Sequence, residues 1–153
     1  MPLPPLDAAA VAVQVHAADW RSAVTCTGDA LVAAGSVQPG YAARMIEVIE
    51  DYGPYVVIAP GLALVHARPG RDVLRDGLAV VTLAEPVAFG HPHNDPVRVL
   101  LGLASTGAND HVTGVAALAN IFNDPEVLPR LAGAPDAQTV VDLFAAARGP
   151  AQP

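Results

Sequence analysis

The chain reads Leu78-Ala-Val-Val-Thr-Leu83 and, after a polar loop, Val97-Arg-Val-Leu-Leu-Gly-Leu103. Valine and leucine dominate both runs, which indicates β-strands. Because neither run alternates strictly between apolar and polar residues, we expect both strands to be buried on their two faces, inside a sheet that helices cover. These two runs therefore decide the fold class.

Three more segments around this pair predict strands. Val11–Val15 is short and apolar, Tyr55–Ile58 combines aromatic and β-branched residues, and Leu62–His66 is apolar up to its last residue. The last two segments are separated by Pro60-Gly61, which favours a hairpin.

Helical spacing flanks the strands on both sides. Asp19 is a typical N-cap for a helix that ends near Gly35, and Pro39 suits the first turn of a helix that ends at Gly53. Three more helices are predicted: from the Asn109-Asp110 cap signal to Phe122, at 125–131 and at 136–148. We expect a three-layer α/β/α sandwich with a central mixed sheet of about five strands and helices on both faces.

Length and charge restrict the function classes. The 153 residues predict a single domain over 1–153, with frayed proline-rich ends at 1–5 and 149–153. Eight basic residues, all arginine, face fifteen acidic ones, so nucleic acid and anionic membranes are unfavourable partners. We find neither a membrane-spanning run nor a signal peptide, which predicts a cytoplasmic protein without membrane insertion. The single Cys26 excludes an intramolecular disulfide.

Several enzyme motifs are absent from the sequence. It lacks a lysine-containing phosphate loop, a glycine-rich dinucleotide fingerprint, His-Glu-x-x-His and Gly-x-Ser-x-Gly. The five histidines are therefore the main candidates for chemistry.

His66 closes the apolar run Leu62–His66, where a strand should give way to a loop. In an extended chain Arg68 would project to the same side. A neutral imidazole is a good nucleophile near pH 7, and a guanidinium beside it would stabilise an anion delivered to it. From spacing alone, a strand-end histidine bonded to a neighbouring carbonyl is the more frequent arrangement.

Two other groups of histidines are candidates. His111 follows the Asn109-Asp110 cap signal and would lie in a first helical turn, where backbone N–H groups attract anions. From spacing alone, an exposed residue without a role is the more frequent case. His91, His93 and Asp95 have metal-ligand chemistry, but two imidazoles in a proline-rich loop are more often solvated than bound to zinc.

Ordered motifs at compatible spacing cover nearly the whole chain. They include Tyr41-Ala-Ala-Arg-Met-Ile-Glu47, Tyr52-Gly-Pro-Tyr55, Ala59-Pro-Gly-Leu-Ala-Leu-Val-His-Ala-Arg-Pro69, Asn94-Asp-Pro-Val97, Ala108-Asn-Asp-His111 and Ala119-Asn-Ile-Phe-Asn-Asp124. Together they resemble the enzyme IIA domain of bacterial phosphoenolpyruvate-dependent sugar phosphotransferase systems. The resemblance is to the mannitol/fructose superfamily and, within it, to the ascorbate (pentitol-type) branch.

This resemblance implies a phosphotransferase of α/β/α fold that accepts a phosphoryl group on His66, with His111 as the second active-site histidine. It implies HPr as donor, a cysteine of the cognate enzyme IIB as acceptor, and the membrane enzyme IIC downstream. Neither nucleotide nor metal is implied, and a homodimer is compatible with the family. Leu62, Leu64 and Val65 are candidates for an apolar docking rim, although strand alternation must turn some of them inward.

Two positions depart from the family pattern. Val48 stands where mannitol and fructose members carry an arginine, and the ascorbate-type branch also tends to lack that arginine. Val65 replaces the proline that usually precedes the active histidine. We therefore expect Arg68 to balance the phosphoryl charge.

Three alternatives stay open at this point. One is a regulatory protein resembling the nitrogen-related enzyme IIA. Another is a metal-dependent hydrolase or metal-binding module built on His91, His93 and Asp95, with His66 as a further candidate ligand. The third is a degenerate domain kept for protein contacts.

Overall fold

The computed structural model describes residues 3–147. Its strands are β1 (Val11–Val15), β2 (Val57–Ala59), β3 (Leu62–His66), β4 (Gly77–Val87) and β5 (Val97–Ala104). Its helices are α1 (Trp20–Ala33), α2 (Tyr41–Tyr52), α3 (Ala108–Ile121), α4 (Val127–Ala132) and α5 (Ala137–Ala147), and a 3₁₀ turn at Ala8–Ala10 precedes β1. Within this range no helix has the length and apolar character that crossing a membrane requires.

The five strands form one mixed sheet in the order β1-β4-β5-β3-β2. The pairs β1–β4 and β3–β5 are parallel, whereas β4–β5 and β2–β3 are antiparallel. The predicted hairpin is thus confirmed, with Gly61 in its turn at a φ of +81°. The last register pair of β3 and β5 is His66 with Leu103, so both strands end at the same edge of the sheet.

Both faces of the sheet are covered, as the uninterrupted apolar runs predict. Along β3, Leu62 and Leu64 belong to a core shared with α3, α4 and α5. The alternate residues Ala63 and Val65 belong to a second core, shared with α1 and α2. The expected α/β sandwich is confirmed, and His66 follows the alternation toward the α3–α5 side.

Local signals place the start of α1 correctly, whereas α2 begins at Tyr41 with Gly40 as N-cap, so Pro39 precedes the helix and does not lie in its first turn. The carboxylate of Asp19 accepts a hydrogen bond from the Ser22 N–H at 2.8 Å, which confirms the predicted N-cap. Where α1 crosses α2, a Cβ on Gly28 would lie 2.4 Å from the Cβ of Ala42. Only glycine therefore permits this close approach.

Several predicted boundaries are wrong. Helix α3 begins at Ala108 with Gly107 as N-cap, so Asn109 and Asp110 lie inside its first turn. Strand β2 begins at Val57, because Tyr55 lies in the turn after α2. The segment 1–5 is expected to fray, but Leu3 within it is only 3% exposed and packs in the α3–α5 core. The expected frayed end at 149–153 lies outside the described residues, as does position 148 of the last predicted helix.

Candidate active site

His66 is held at the end of β3 by one of its two ring nitrogens. Its Nδ1 lies 3.1 Å from the carbonyl oxygen of Leu64, two residues earlier in the same strand. A carbonyl oxygen can only accept, so Nδ1 carries the proton and Nε2 keeps a lone pair. His66 is therefore bonded to a neighbouring carbonyl, which is the arrangement that spacing alone makes more frequent. This bond still leaves Nε2 available as a nucleophile.

His111 lies beside His66, although 45 positions separate them in the sequence. Their ring centroids are 4.7 Å apart, with 50° between the ring planes. Gly114 permits this approach, because a Cβ there would already lie 3.1 Å from Cδ2 of Leu103, the register partner of His66. Nδ1 of His111 is buried and has no hydrogen-bond partner among the described residues.

Both imidazoles are biased toward the neutral form. Burial lowers the pKa of His66, and positive charge on His111 would lower that pKa further, while the bond to Leu64 opposes both effects. Burial also lowers the pKa of His111. Near pH 7 the site therefore presents two uncharged rings, which is the state that nucleophilic attack requires.

The two histidines open into a cavity of about 1030 Å³ at the edge where β3 and β5 end. The cavity is lined by Val48, Tyr52, Tyr55, His66, Ala67, Arg68, Pro69, Thr106, Gly107, Ala108, His111 and Val112. Arg68 also lines this cavity, although β3 ends at His66, and its guanidinium has no carboxylate partner within residues 3–147. The cavity thus holds an uncompensated positive charge beside two neutral imidazoles.

The apolar rim of the cavity consists of residues that the sequence did not reveal. Tyr52, Tyr55 and Val112 are 68%, 50% and 67% exposed, and the Tyr55 ring stands edge-on to His66 with centroids 6.1 Å apart. Exposed apolar groups that cluster around a cavity are a common feature of docking surfaces. The turn signal Gly53-Pro54 between the two tyrosines could have indicated their exposure.

The prediction that Leu62, Leu64 and Val65 contribute to the docking rim is wrong. All three are at most 2% exposed, because helices cover both faces of β3. They build the two cores instead.

The entry to α3 is held by one carboxylate. Oδ1 of Asp76, just before β4, accepts hydrogen bonds from the Thr106 N–H at 2.7 Å and from the Thr106 hydroxyl at 2.9 Å. Thr106 immediately precedes the N-cap Gly107. Asp76 therefore fixes where α3 begins, and with it the position of His111.

The His91–Asp95 loop uses its polar groups internally. The Asp95 carboxylate accepts hydrogen bonds from the N–H groups of Phe89, Gly90 and His91 at 2.7–3.1 Å. Nδ1 of His91 accepts from the N–H groups of His93 and Asn94. No group of three or more potential metal ligands occurs in the described part of the chain. The metal-centre alternative therefore has no structural support.

Comparison with known proteins identifies one family of relatives for this chain. Residues 5–147 match the family model "Phosphoenolpyruvate-dependent sugar phosphotransferase system, EIIA 2". The ascorbate-specific PTS system EIIA component of Escherichia coli is 41% identical over 135 residues, which are 88% of each chain. A crystal structure described as a PTS IIA (PtxA) from Streptococcus mutans superposes with a TM-score of 0.84 at 31% identity, covering 95% and 96% of the two chains.

A third relative was determined together with another protein. This is enzyme IIA for mannitol of Escherichia coli, in complex with phosphorylated mannitol enzyme IIB. It shares 26% identity and a TM-score of 0.79, over 92% of this chain and 97% of its own.

Proposed function

The chain belongs to the EIIA type 2 family of the phosphoenolpyruvate-dependent sugar phosphotransferase system, and we propose that it carries its phosphoryl group on His66. Members of this family are phosphotransferases that pass phosphoryl groups between proteins. One observation carries the choice of residue: the His66 and His111 rings lie 4.7 Å apart on a cavity that also holds Arg68.

The hydrogen bond to Leu64 selects the reacting atom of His66. Nε2 attacks the phosphorus of a phosphohistidine on the donor, so an Nε2–P bond forms as the donor's N–P bond breaks and its electron pair returns to the donor imidazole. Nδ1 keeps its proton, and its bond to the Leu64 carbonyl stabilises the positive charge that develops on the ring.

His111, Arg68 and the N-terminal turn of α3 stabilise the transferred group. A phosphoryl group spreads negative charge over three oxygens, and the protein contributes mainly position and electrostatics. Arg68 supplies a positive charge on the wall of the cavity, which is also lined by Val48, the position that is arginine in the family pattern of mannitol-type members. No nucleotide or metal is needed, because the phosphoryl group arrives already activated.

The partners proposed are proteins that dock on the Tyr52, Tyr55 and Val112 rim. HPr is the donor, and the acceptor is a cysteine thiolate of enzyme IIB, whose S–P bond forms as the His66 N–P bond breaks. Ascorbate is the proposed sugar, carried by the 41% identity to ascorbate-specific components, with enzyme IIC as the membrane partner. The rim suits this role because it excludes water from the transferring group.

Reconstitution tests the proposal. The chain is incubated with phosphoenolpyruvate, enzyme I and HPr, and its phosphopeptides are mapped under alkaline conditions that preserve phosphohistidine. We expect one phosphoryl group, on His66, which then passes to an ascorbate-specific enzyme IIB and to ascorbate when enzyme IIC is present. Labelling elsewhere would contradict the assignment to His66, and labelling without onward transfer to any sugar-specific enzyme IIB would favour the regulatory alternative. Sedimentation of the same samples tests the homodimer that is compatible with the family.

A further inference from the structure

Tyr41 reaches the end of β3 from the core that α1 and α2 form beneath the sheet. Its side chain is 0% exposed, and its hydroxyl accepts a hydrogen bond from the Ala67 N–H at 3.0 Å and lies 2.8 Å from the Leu103 carbonyl oxygen, to which it donates. His66 and Leu103 are the last paired residues of β3 and β5. The hydroxyl therefore satisfies two backbone groups at the point where the strand ladder ends.

The tyrosine remains a donor throughout the physiological pH range. Burial is the main reason that the pKa of Tyr41 rises to about 12, while the bond to Ala67 opposes the rise. The Tyr41 hydroxyl therefore keeps its proton, and its bonds to Ala67 and Leu103 do not depend on pH in this range.

Arg44 holds the next stretch of chain from one turn further along α2. Its Nε and Nη2 donate to the two carboxylate oxygens of Asp72 at 2.8 and 2.6 Å, and Nη2 also donates to the Arg68 carbonyl at 2.8 Å. The guanidinium lies over the Tyr41 ring, 5.4 Å from its centroid. This bidentate pair lowers the pKa of Asp72.

Gly70 leaves the space that this arrangement needs. A Cβ on Gly70 would lie 2.8 Å from Nη2 of Arg44 and 3.1 Å from Oδ1 of Asp72. A side chain there would displace the guanidinium without removing any polar group.

We propose that Tyr41 and Arg44 form a clamp that positions His66 and Arg68 for phosphoryl transfer. The clamp fixes the backbone directly after His66 and the carbonyl of Arg68, whose side chains both reach the cavity. Neither Tyr41 nor Arg44 lines the cavity, so both act as positioning residues. The inference rests on the proposed function, because it concerns the same transfer.

The test measures phosphoryl transfer from phospho-HPr by rapid quench over a range of donor concentrations. Tyr41→Phe removes only the hydroxyl, and Arg44→Lys keeps the charge but loses the planar fork. We expect the maximal rate to fall about 10- to 100-fold in each, since small misplacements of reacting groups have costs of this order. The half-saturating donor concentration should not change, because the rim is intact, and labelling should still reach completion.

Two further measurements separate positioning from a merely structural role. The ring ¹⁵N shifts of His66 should report one tautomer in the wild type and a mixture in Tyr41→Phe. Gly70→Ala should also lower the maximal rate, but by a smaller factor. If Tyr41→Phe does not fold, the rate of Gly70→Ala tests the clamp instead.

Matched controls remove equivalent groups elsewhere. Thr27→Val deletes another fully buried hydroxyl, which bonds to Ala23 within α1, and Arg21→Gln deletes an arginine that pairs with Glu50 at another place on α2. Both should transfer at the wild-type rate. Wild-type maximal rates in folded Tyr41→Phe and Arg44→Lys, or a change confined to half-saturation, would overturn the clamp. Absence of labelling on His66 in the wild-type chain would overturn the proposed function instead.

Discussion

The His66–His111 cavity and the His91–Asp95 loop each contain two histidines but use their polar groups in opposite ways. In the loop, the Asp95 carboxylate and Nδ1 of His91 accept hydrogen bonds from backbone N–H groups only a few residues away. In the cavity, His66 bonds through one nitrogen only, and Nδ1 of His111 has no partner within residues 3–147. Polar atoms that remain available after folding, rather than a local cluster of histidines, indicate the reactive site.

Removing a histidine from each region should give the largest contrast. We expect His66→Ala to abolish labelling by phospho-HPr, because the bond from its Nδ1 to the Leu64 carbonyl leaves Nε2 of this ring as the proposed acceptor. The same substitution at His93, which is exposed in the loop, should leave labelling intact. Phosphohistidine-preserving mass spectrometry measures both variants, and normal labelling of His66→Ala would remove the assignment.

Within the cavity, the second histidine should matter less than the first. His111→Ala should slow transfer by about 10²-fold, the usual loss when one donor to developing negative charge is removed. The effect should be greater for transfer to enzyme IIB than for the uptake of phosphate. Single-turnover rates of phosphate uptake from phospho-HPr and of transfer to enzyme IIB measure the two effects. Equal rates for the wild type and the variant would show that His111 takes no part in transfer.

In the loop, substitution should affect stability and leave chemistry unchanged. Asp95→Ala leaves three backbone N–H groups without their acceptor, so the free energy of unfolding should fall by about 1–2 kcal/mol. Urea denaturation measures this loss. The transfer rate per folded molecule should equal that of the wild type, and a reduced rate would show that the loop takes part in function.

The smallest expected effect is a pH dependence that originates in the cavity. The pKa values of His66 and His111 are lowered in the folded state, so the unfolded chain binds more protons as pH falls below about 6.5. Their contribution to stability is complete above that pH and is lost as pH falls through the folded-state values. Urea denaturation from about pH 5 to about pH 8, the range in which histidine changes its charge, should show a flatter profile for the double variant His66→Gln/His111→Gln. Identical profiles for the wild type and the double variant would contradict the lowered pKa values.

Much of the fold follows from local sequence signals. The apolar runs Leu78–Leu83 and Val97–Leu103 predict doubly buried strands, and Asp19 predicts the start of α1. These signals suffice because periodicity and capping act over a few residues. The motifs also indicate the family and its two active-site histidines, His66 and His111. Strand and cap spacing indicate the same two histidines and add Arg68.

The tertiary structure supplied the contacts that no local pattern shows, and for His66 and His111 only the family resemblance implied that they share a site. The approach of His111 to His66 depends on how α3 packs over β5 at Gly114, which no local pattern encodes. Burial separated the expected rim residue Leu64 from the exposed Tyr55, because both faces of β3 are covered. Apolar patterns and caps depend on neighbouring residues. A site formed by residues far apart in the sequence depends instead on how distant elements pack against each other.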